Sequence, residues 1–150
     1  GVLFASAEGN GIFHSTDMGS SWEYTGMSSH SVTDIGVNAD SMLVLSDDTG
    51  LFSSTDTGNR WHSVSVPGDI SVGKLLYVEP YALLAGTSDG IYSIDEAGGT
   101  LHYFALREHS VYGITASRGS YIYVSTDRGL FRSEELVEYY NTQTGWRRDR

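Results

Sequence analysis

The sequence contains no cysteine. A disulfide framework, a thiolate zinc site and a cysteine nucleophile are therefore excluded, and the fold must rest on packing and hydrogen bonds. A chain of 150 residues can manage this, because one domain of that length buries a core without covalent or metal staples. Proline is scarce, with 2 residues against 18 glycines and 10 tyrosines, a balance that favours many short strands joined by tight turns. Basic residues are few as well: nine Lys and Arg against nineteen Asp and Glu leave a formal charge of −10. Such a chain repels a phosphate backbone, so nucleic acid is not expected as a partner. No apolar run approaches the roughly 18 residues that a membrane-spanning helix requires. The start, Gly1-Val2-Leu3-Phe4-Ala5, lacks the basic residues that open a signal peptide. A cytosolic chain or, preferably, a mature or trimmed segment is the expectation.

What the sequence does contain is a repeat. A Gly-apolar-aromatic triplet opens at Gly11, Gly50, Gly90 and Gly129, giving steps of 39, 40 and 39 residues. Each triplet follows an apolar run, Val2-Leu3-Phe4-Ala5, Met42-Leu43-Val44-Leu45, Ala82-Leu83-Leu84-Ala85 or Tyr121-Ile122-Tyr123-Val124, and a turn rich in Gly, Asp and Asn. Short runs of this kind suit strands, and glycine beside Asp or Asn supplies the turn of a hairpin. A further strand pattern, Ser-Val-x-x-Ile/Leu, recurs at Ser31–Ile35, Ser71–Leu75 and Ser110–Ile114. A fourth candidate strand begins near Trp22 or Trp61. Four short strands in 39 residues is the size of a propeller blade. The expected fold is an all-β propeller of about four four-stranded blades, with units near 1–30, 31–69, 70–108 and 109–150 in one domain.

Between the third and fourth strands lies the most distinctive stretch. Ser15-Thr16-Asp17-Met18-Gly19-Ser20-Ser21-Trp22 returns as Ser54-Thr55-Asp56-Thr57-Gly58-Asn59-Arg60-Trp61. The pattern Ser-x-Asp-x-Gly-x-(Ser/Thr)-Trp resembles the Asp-box, or bacterial neuraminidase repeat, of β-propeller proteins. The second copy departs from it only at Arg60. Units three and four have degraded copies, with Glu96, Gly98 and Leu101, and then Glu135, Val137 and Tyr140, at the Asp, Gly and Trp places. The resemblance implies structural roles for Ser15, Asp17, Gly19 and Trp22 and for Ser54, Asp56, Gly58 and Trp61. The Asp would accept backbone hydrogen bonds within the turn, Gly would permit the bend and Trp would pack as a buried anchor. Physical chemistry supports this, since Asp side chains bond backbone donors two residues on and an indole supplies large apolar area. A calcium loop is not expected, because that pattern needs more oxygen ligands and a distal Glu. No metal and no cofactor is expected.

The first unit lacks the Ser-Val-x-x-Ile strand that precedes the other three, so one strand is missing. A compact four-bladed ring with an incomplete blade, part of a six- to eight-bladed propeller and a ring completed by two copies all remain open, with the last two preferred. Self-association or further blades are thus expected, because unclosed arrays expose strand edges.

Candidate binding residues follow from the inner strand, which lines the channel in propellers. His30, Ile70 and His109 open it, and Asp34, Lys74 and Gly113 follow four positions later, with Tyr112 beside the last. His30, Asp34, Lys74, His109 and Tyr112 form the candidate ligand-binding set at the channel face; a polar residue at a strand start is the plainer reading of each histidine. Sialidases share the box, yet none of the chain's arginines maps onto a recognisable triad, and Glu138-Tyr139 is only a dipeptide. No phosphate loop, Gly-x-Ser-x-Gly elbow or His-Glu-x-x-His motif occurs. No catalytic residue is therefore assigned. The expected function is a non-catalytic module that recognises a protein or glycan, and a fragment of a glycoside hydrolase is the alternative. The resemblance implies a secreted, cell-surface or periplasmic setting.

Overall fold

The computed structural model describes residues 1–37, 43–47, 49–78, 82–95, 99–117, 121–133 and 145–148. Fifteen strands form four antiparallel sheets among these residues. The first contains β1 (Leu3–Ala7), β2 (Gly11–Ser15) and β3 (Glu23–Gly26) in that order. The second runs β4 (Val32–Val37), β5 (Leu43–Asp47), β6 (Gly50–Ser54) and β7 (His62–Ser63). β8 (Val72–Val78), β9 (Ala82–Thr87), β10 (Gly90–Ile94) and β11 (Leu101–Ala105) make the third. The fourth consists of β12 (Val111–Ala116), β13 (Ile122–Thr126), β14 (Gly129–Ser133) and β15 (Trp146–Arg148). Each repeat unit has thus folded as one meander, and the first sheet has three strands where the others have four.

The turns are those that the glycines dictate. β13 and β14 close so tightly that Thr126 and Gly129 pair directly, and β9 and β10 do the same through Thr87 and Gly90. In both hairpins the threonine hydroxyl donates to the glycine carbonyl, at 2.9 Å from Thr87 and 3.0 Å from Thr126. The inner strands β4, β8 and β12 share a bulge at one place, between Val32 and Asp34, Val72 and Lys74, and Val111 and Gly113. A bulge inserts one residue and re-aims its side chain. Here the inserted residues are Thr33, Gly73 and Tyr112.

The core lies between sheets rather than within one. One apolar cluster joins Leu51 and Val64 of the second unit to Leu75, Leu83, Tyr92 and Leu101 of the third. A second joins Leu84, Ile91 and Ala105 of the third sheet to Val111, Ile122 and Val124 of the fourth. Leu84, Ile91 and Ile122 are fully buried, each worth about 1.5–3 kcal/mol of transfer free energy. The sheets pack in chain order through their inner strands, β4 on β8 and β8 on β12. No packing of comparable extent joins the fourth sheet to the first among the described residues.

Candidate functional site

Both complete boxes fold into the same turn. Ser15 is buried at the end of β2, and its hydroxyl donates to Asp17 Oδ1 at 2.8 Å while accepting from the Gly19 amide at 2.8 Å. Asp17 Oδ1 also accepts the Ser21 amide at 2.8 Å, and Oδ2 accepts the Ser21 hydroxyl at 2.6 Å. The second box repeats the scheme: Ser54 to Asp56 at 2.9 Å, Gly58 to Ser54 at 2.9 Å and the Arg60 amide to Asp56 at 2.8 Å. Arginine at position 60 leaves out the hydroxyl bond that Ser21 provides. The bonds from the Ser21 side chain, the Ser21 backbone and Ser15 hold the Asp17 carboxyl down at about 2. The Asp56 carboxyl is lowered mainly by the Arg60 amide. These carboxylates are committed to backbone and serine donors. The turn also requires left-handed backbone at a residue that is not glycine, Met18 (φ 60°) and Thr57 (φ 61°), which the pattern did not reveal.

The tryptophans correct the sequence expectation. Trp22 is 43% exposed, whereas Trp61 is half-buried. The cause is the neighbour. Thr25 of β3 donates its hydroxyl to the Thr57 carbonyl at 2.9 Å and lies on Gly58, and Gly26 faces the Trp61 indole. The outer strand of one sheet therefore caps the box of the next. The same relation recurs twice: Val64 shares a cluster with Leu101, and Phe104 meets Trp146 edge-on at 6.4 Å. Among the described residues no outer strand covers Trp22, so it is left in solvent.

Two further assignments shift. In the third unit Asp95, one position before the expected Glu96, accepts the Gly99 amide at 2.7 Å. In the fourth, Trp146 pairs with Ser133, next to Arg147 opposite Arg132. It occupies the place that Trp22 holds beside Glu23 opposite His14, and that place was expected for Tyr140. Glu96, Gly98, Glu135, Val137 and Tyr140 themselves lie outside the described residues, as does Glu138-Tyr139.

The candidate channel-face residues are distributed along the array. His30 packs edge-on against Phe52 at 5.2 Å and pairs through Nδ1 with Asp47 Oδ2. His109 packs against Phe131 at 5.1 Å, with its Nδ1 2.9 Å from the Arg107 carbonyl. Ile70 joins the cluster around Tyr92. The two histidines thus each pack on the aromatic of the triplet in the sheet that they lead into. Asp34 bridges two blades, accepting the Ile35 amide at 3.0 Å through Oδ1 and the Leu75 amide at 2.8 Å through Oδ2. Lys74 follows the bulge of β8, and Tyr112, the inserted residue of β12, is 63% exposed. Among the described residues no group of three His, Asp or Glu side chains could hold a metal.

A feature that the repeat did not announce is a 370 Å³ cavity under the segment that leads from the second sheet to the third. Asp47, Phe52, Val64, Val66, Ile70 and Val72 line it. Asp47 replaces the threonine found at this turn in the next two units, Thr87 and Thr126. Its Oδ1 accepts the Thr49 amide, the Thr49 hydroxyl and the Gly50 amide, each at 2.8 Å. Burial pushes this carboxyl up, but the bonds from His30, Thr49 and Gly50 outweigh it and leave a net lowering. Only the coincidence of His30 with Asp47 in the same unit could have signalled this pair.

No protein-family model matches the chain, and no curated protein matches it by sequence. Similarity appears in structure. The extracellular domain of a hybrid two-component system from B. thetaiotaomicron superposes with a TM-score of 0.70 and 16% identity, covering 98% of this chain and 20% of that one. An ancestral GH74 enzyme gives 0.72 and 17%, covering 99% and 22%. YCF48 from Cyanidioschyzon merolae gives 0.62 and 11%, covering 94% and 51%; YCF48 is also known bound to a D1 peptide. The chain spans about a fifth of the first two and half of the third. It shares their fold: all-β, built of antiparallel sheets that match part of a larger propeller. No helix among the described residues is long and apolar enough to cross a membrane.

Proposed function

We propose that the chain is an Asp-box propeller-type binding module that recognises a protein or glycan on the channel face formed by β4, β8 and β12, without catalysis. One observation carries this reading. The three inner strands share one bulge at the same place in the register, yet the inserted residue changes from Thr33 to Gly73 to Tyr112. A fixed frame that carries variable, outward-turned side chains is what a recognition surface needs. Tyr112 supplies an exposed aromatic plane and Lys74 a cation, and both suit an aromatic- or acid-bearing ligand. The box carboxylates take no part, because backbone donors occupy them.

The array forms one domain, with units near 1–30, 31–69, 70–108 and 109–150, that works within a larger ring. The fold likeness to an extracellular domain supports a secreted, cell-surface or periplasmic setting, and the YCF48 complex supports a peptide as one class of ligand. The likeness to an ancestral GH74 enzyme keeps a glycoside hydrolase fragment as the second reading. A peptide library and a glycan array, each screened with the native chain and with Tyr112→Ala and Lys74→Ala, test the proposal. Binding that both substitutions weaken, with no glycoside turnover, is expected. Binding indifferent to both, or turnover, would sink it.

A further inference from the structure

The repeat supplies its own control for the cavity beside Asp47. In the first and third sheets the glycine that opens the triplet is pressed by the end of the outer strand. A Cβ at Gly11 would stand 2.3 Å from the Gly26 carbonyl oxygen, and one at Gly90 2.5 Å from that of Ala105. In the fourth sheet a Cβ at Gly129 would meet the Arg148 guanidinium, 2.9 Å from Nε. At Gly50 it would meet nothing within 4 Å, and Gly50 lines the cavity. The sequence accounts for the gap. β3 and β11 have four and five residues, and five more, 27–31 and 106–110, lead from each to the next inner strand. β7 has only two, and eight residues, 64–71, lead onward. Ser65 in this longer segment bridges to Thr100, donating its amide to the Gly99 carbonyl at 3.0 Å and accepting the Leu101 amide at 3.3 Å. Pro67 and Gly68, the latter left-handed at φ +60°, then lead to Ile70. Space that backbone fills in the first and third sheets is thus left open in the second, with sheets of the chain on both sides.

The same sheet carries Asp47 where the third and fourth have threonine. Its side chain is fully buried, and it is the one ionisable residue that lines the cavity. Burial pushes the carboxyl up, but bonds from His30, Thr49 and Gly50 keep it lowered, so it is an anion at neutral pH. Oδ1 accepts three of these bonds, whereas Oδ2 accepts only His30 among the described residues. A carboxylate has about four lone-pair sites, so Oδ2 retains capacity for a further donor. We propose that this cavity binds a small amine, with its apolar body against Leu51, Val64, Val66 and Ile70 and its ammonium in the field of Asp47. A volume of 370 Å³ falls in the range of ligand pockets, about 300–1,000 Å³. Water finds few partners on walls of branched aliphatic side chains, and an apolar body replaces it at little cost. No cationic side chain lines the cavity, so an anionic ligand is repelled. A neutral ligand forgoes an attraction that counts for more here than in water, and the chain's charge of −10 draws cations to it. The channel-face residues Tyr112 and Lys74 take no part, so the site stands apart from the recognition surface.

Three probes that share an indole test this: tryptamine, a cation; tryptophol, which is neutral; and indole-3-propionate, an anion. Followed by methyl NMR on the native chain, tryptamine should shift Val64, Val66, Ile70 and Val72 and leave Ile114 of β12 unmoved. It should bind about tenfold more tightly than tryptophol, and indole-3-propionate should not bind measurably. Asp47→Thr gives the second sheet the residue with which the third and fourth fold this corner. It should bring tryptamine down to the affinity of tryptophol. Val66→Trp, in the segment outside the sheets, should fill the cavity and weaken both ligands by about tenfold or more. Tryptamine that binds no tighter than tryptophol, or not at all at millimolar concentration, would overturn the proposal. So would a preference for the cation that survives Asp47→Thr, affinity untouched by Val66→Trp, or shifts centred on β12.

Discussion

The two boxes at Ser15–Trp22 and Ser54–Trp61 share the hydrogen bonds among their serine, aspartate and glycine but differ in their surroundings. Inside each, serine, aspartate and glycine form a closed local circuit of side chain and backbone. Outside, the second is covered by Thr25 and Gly26 of the preceding sheet, and the first is not. The difference separates two tasks that the pattern runs together. The polar residues fold the corner by themselves, whereas glycine and tryptophan acquire their energetic weight from the preceding blade. Where the cover changes, so does the anchor: Val64 shares a cluster with Leu101, and Phe104 lies against Trp146.

Alanine at the two glycines gives the largest contrast. Gly19 and Gly58 have φ of +88° and +87°, so each substitution incurs the same left-handed strain. A Cβ at Gly19 meets nothing closer than 3.8 Å, while at Gly58 it would stand 2.6 Å from Thr25 Oγ1. Gly19→Ala should cost about 1–2 kcal/mol, and Gly58→Ala on the order of 3–4 kcal/mol once overpacking adds to the strain. Urea denaturation reads both, and adding Thr25→Ala to Gly58→Ala should recover part of the loss. Equal costs would show that the cover carries no weight. Next in size are the tryptophans. Trp61→Ala should cost about 2–3 kcal/mol, below the value for a fully buried indole, and Trp22→Ala under about 1 kcal/mol. Reversed values in thermal unfolding would break the comparison.

The third contrast should vanish. Asp17 titrates at about 2 when folded and near 3.9 in an unfolded chain. A depressed folded value means that the carboxylate's contribution is complete above about pH 4 and fades as pH falls towards 2. Asp56 is lowered in the same direction. Asp17→Asn and Asp56→Asn should each flatten the acid limb of the stability profile between about pH 4 and 2, and to a similar degree because both circuits are local. A much larger effect at Asp56, read by denaturation across that range, would tie the carboxylate to the cover as well.

These contrasts also mark what the sequence could carry. Glycine spacing and the Gly-Asp turns are local information, so the sheets and the hairpins at Gly90 and Gly129 were legible, as was the box between the third and fourth strands. The exposure of Trp22 was not, because it depends on which strand lies over it and not on the eight residues of the box. Asp95 was not marked out, because its bond to the Gly99 amide falls one position off the repeat's pattern. Trp146 was not seen at the Trp place of the fourth unit because the chain between Ser133 and Trp146 is longer than in the first two boxes, and pairing register, not sequence distance, identifies the equivalent residue. For the binding set, the pattern gave equivalent positions but not their partners. His30 and His109 occupy matching places, and only His30 meets a buried carboxylate, because the second sheet has Asp47 where the third and fourth have threonine.

The smallest expected effect concerns Arg60, where the second box departs from its pattern. Ser21 gives Asp17 two bonds, from amide and hydroxyl, while Arg60 gives Asp56 its amide and the attraction of a nearby positive charge. If the hydroxyl is the larger of the two effects at an exposed corner, Arg60→Ser should lower the Asp56 carboxyl further, towards the value of about 2 held by Asp17. The charge is screened by salt and the hydroxyl bond is not. Titration of the Asp56 carboxyl carbon by NMR should therefore show a downward shift on Arg60→Ser that widens as salt rises, since salt weakens only the native residue's contribution. An upward shift that salt abolishes would mean that the guanidinium had replaced the lost hydroxyl, and that the two boxes differ inside as well as outside.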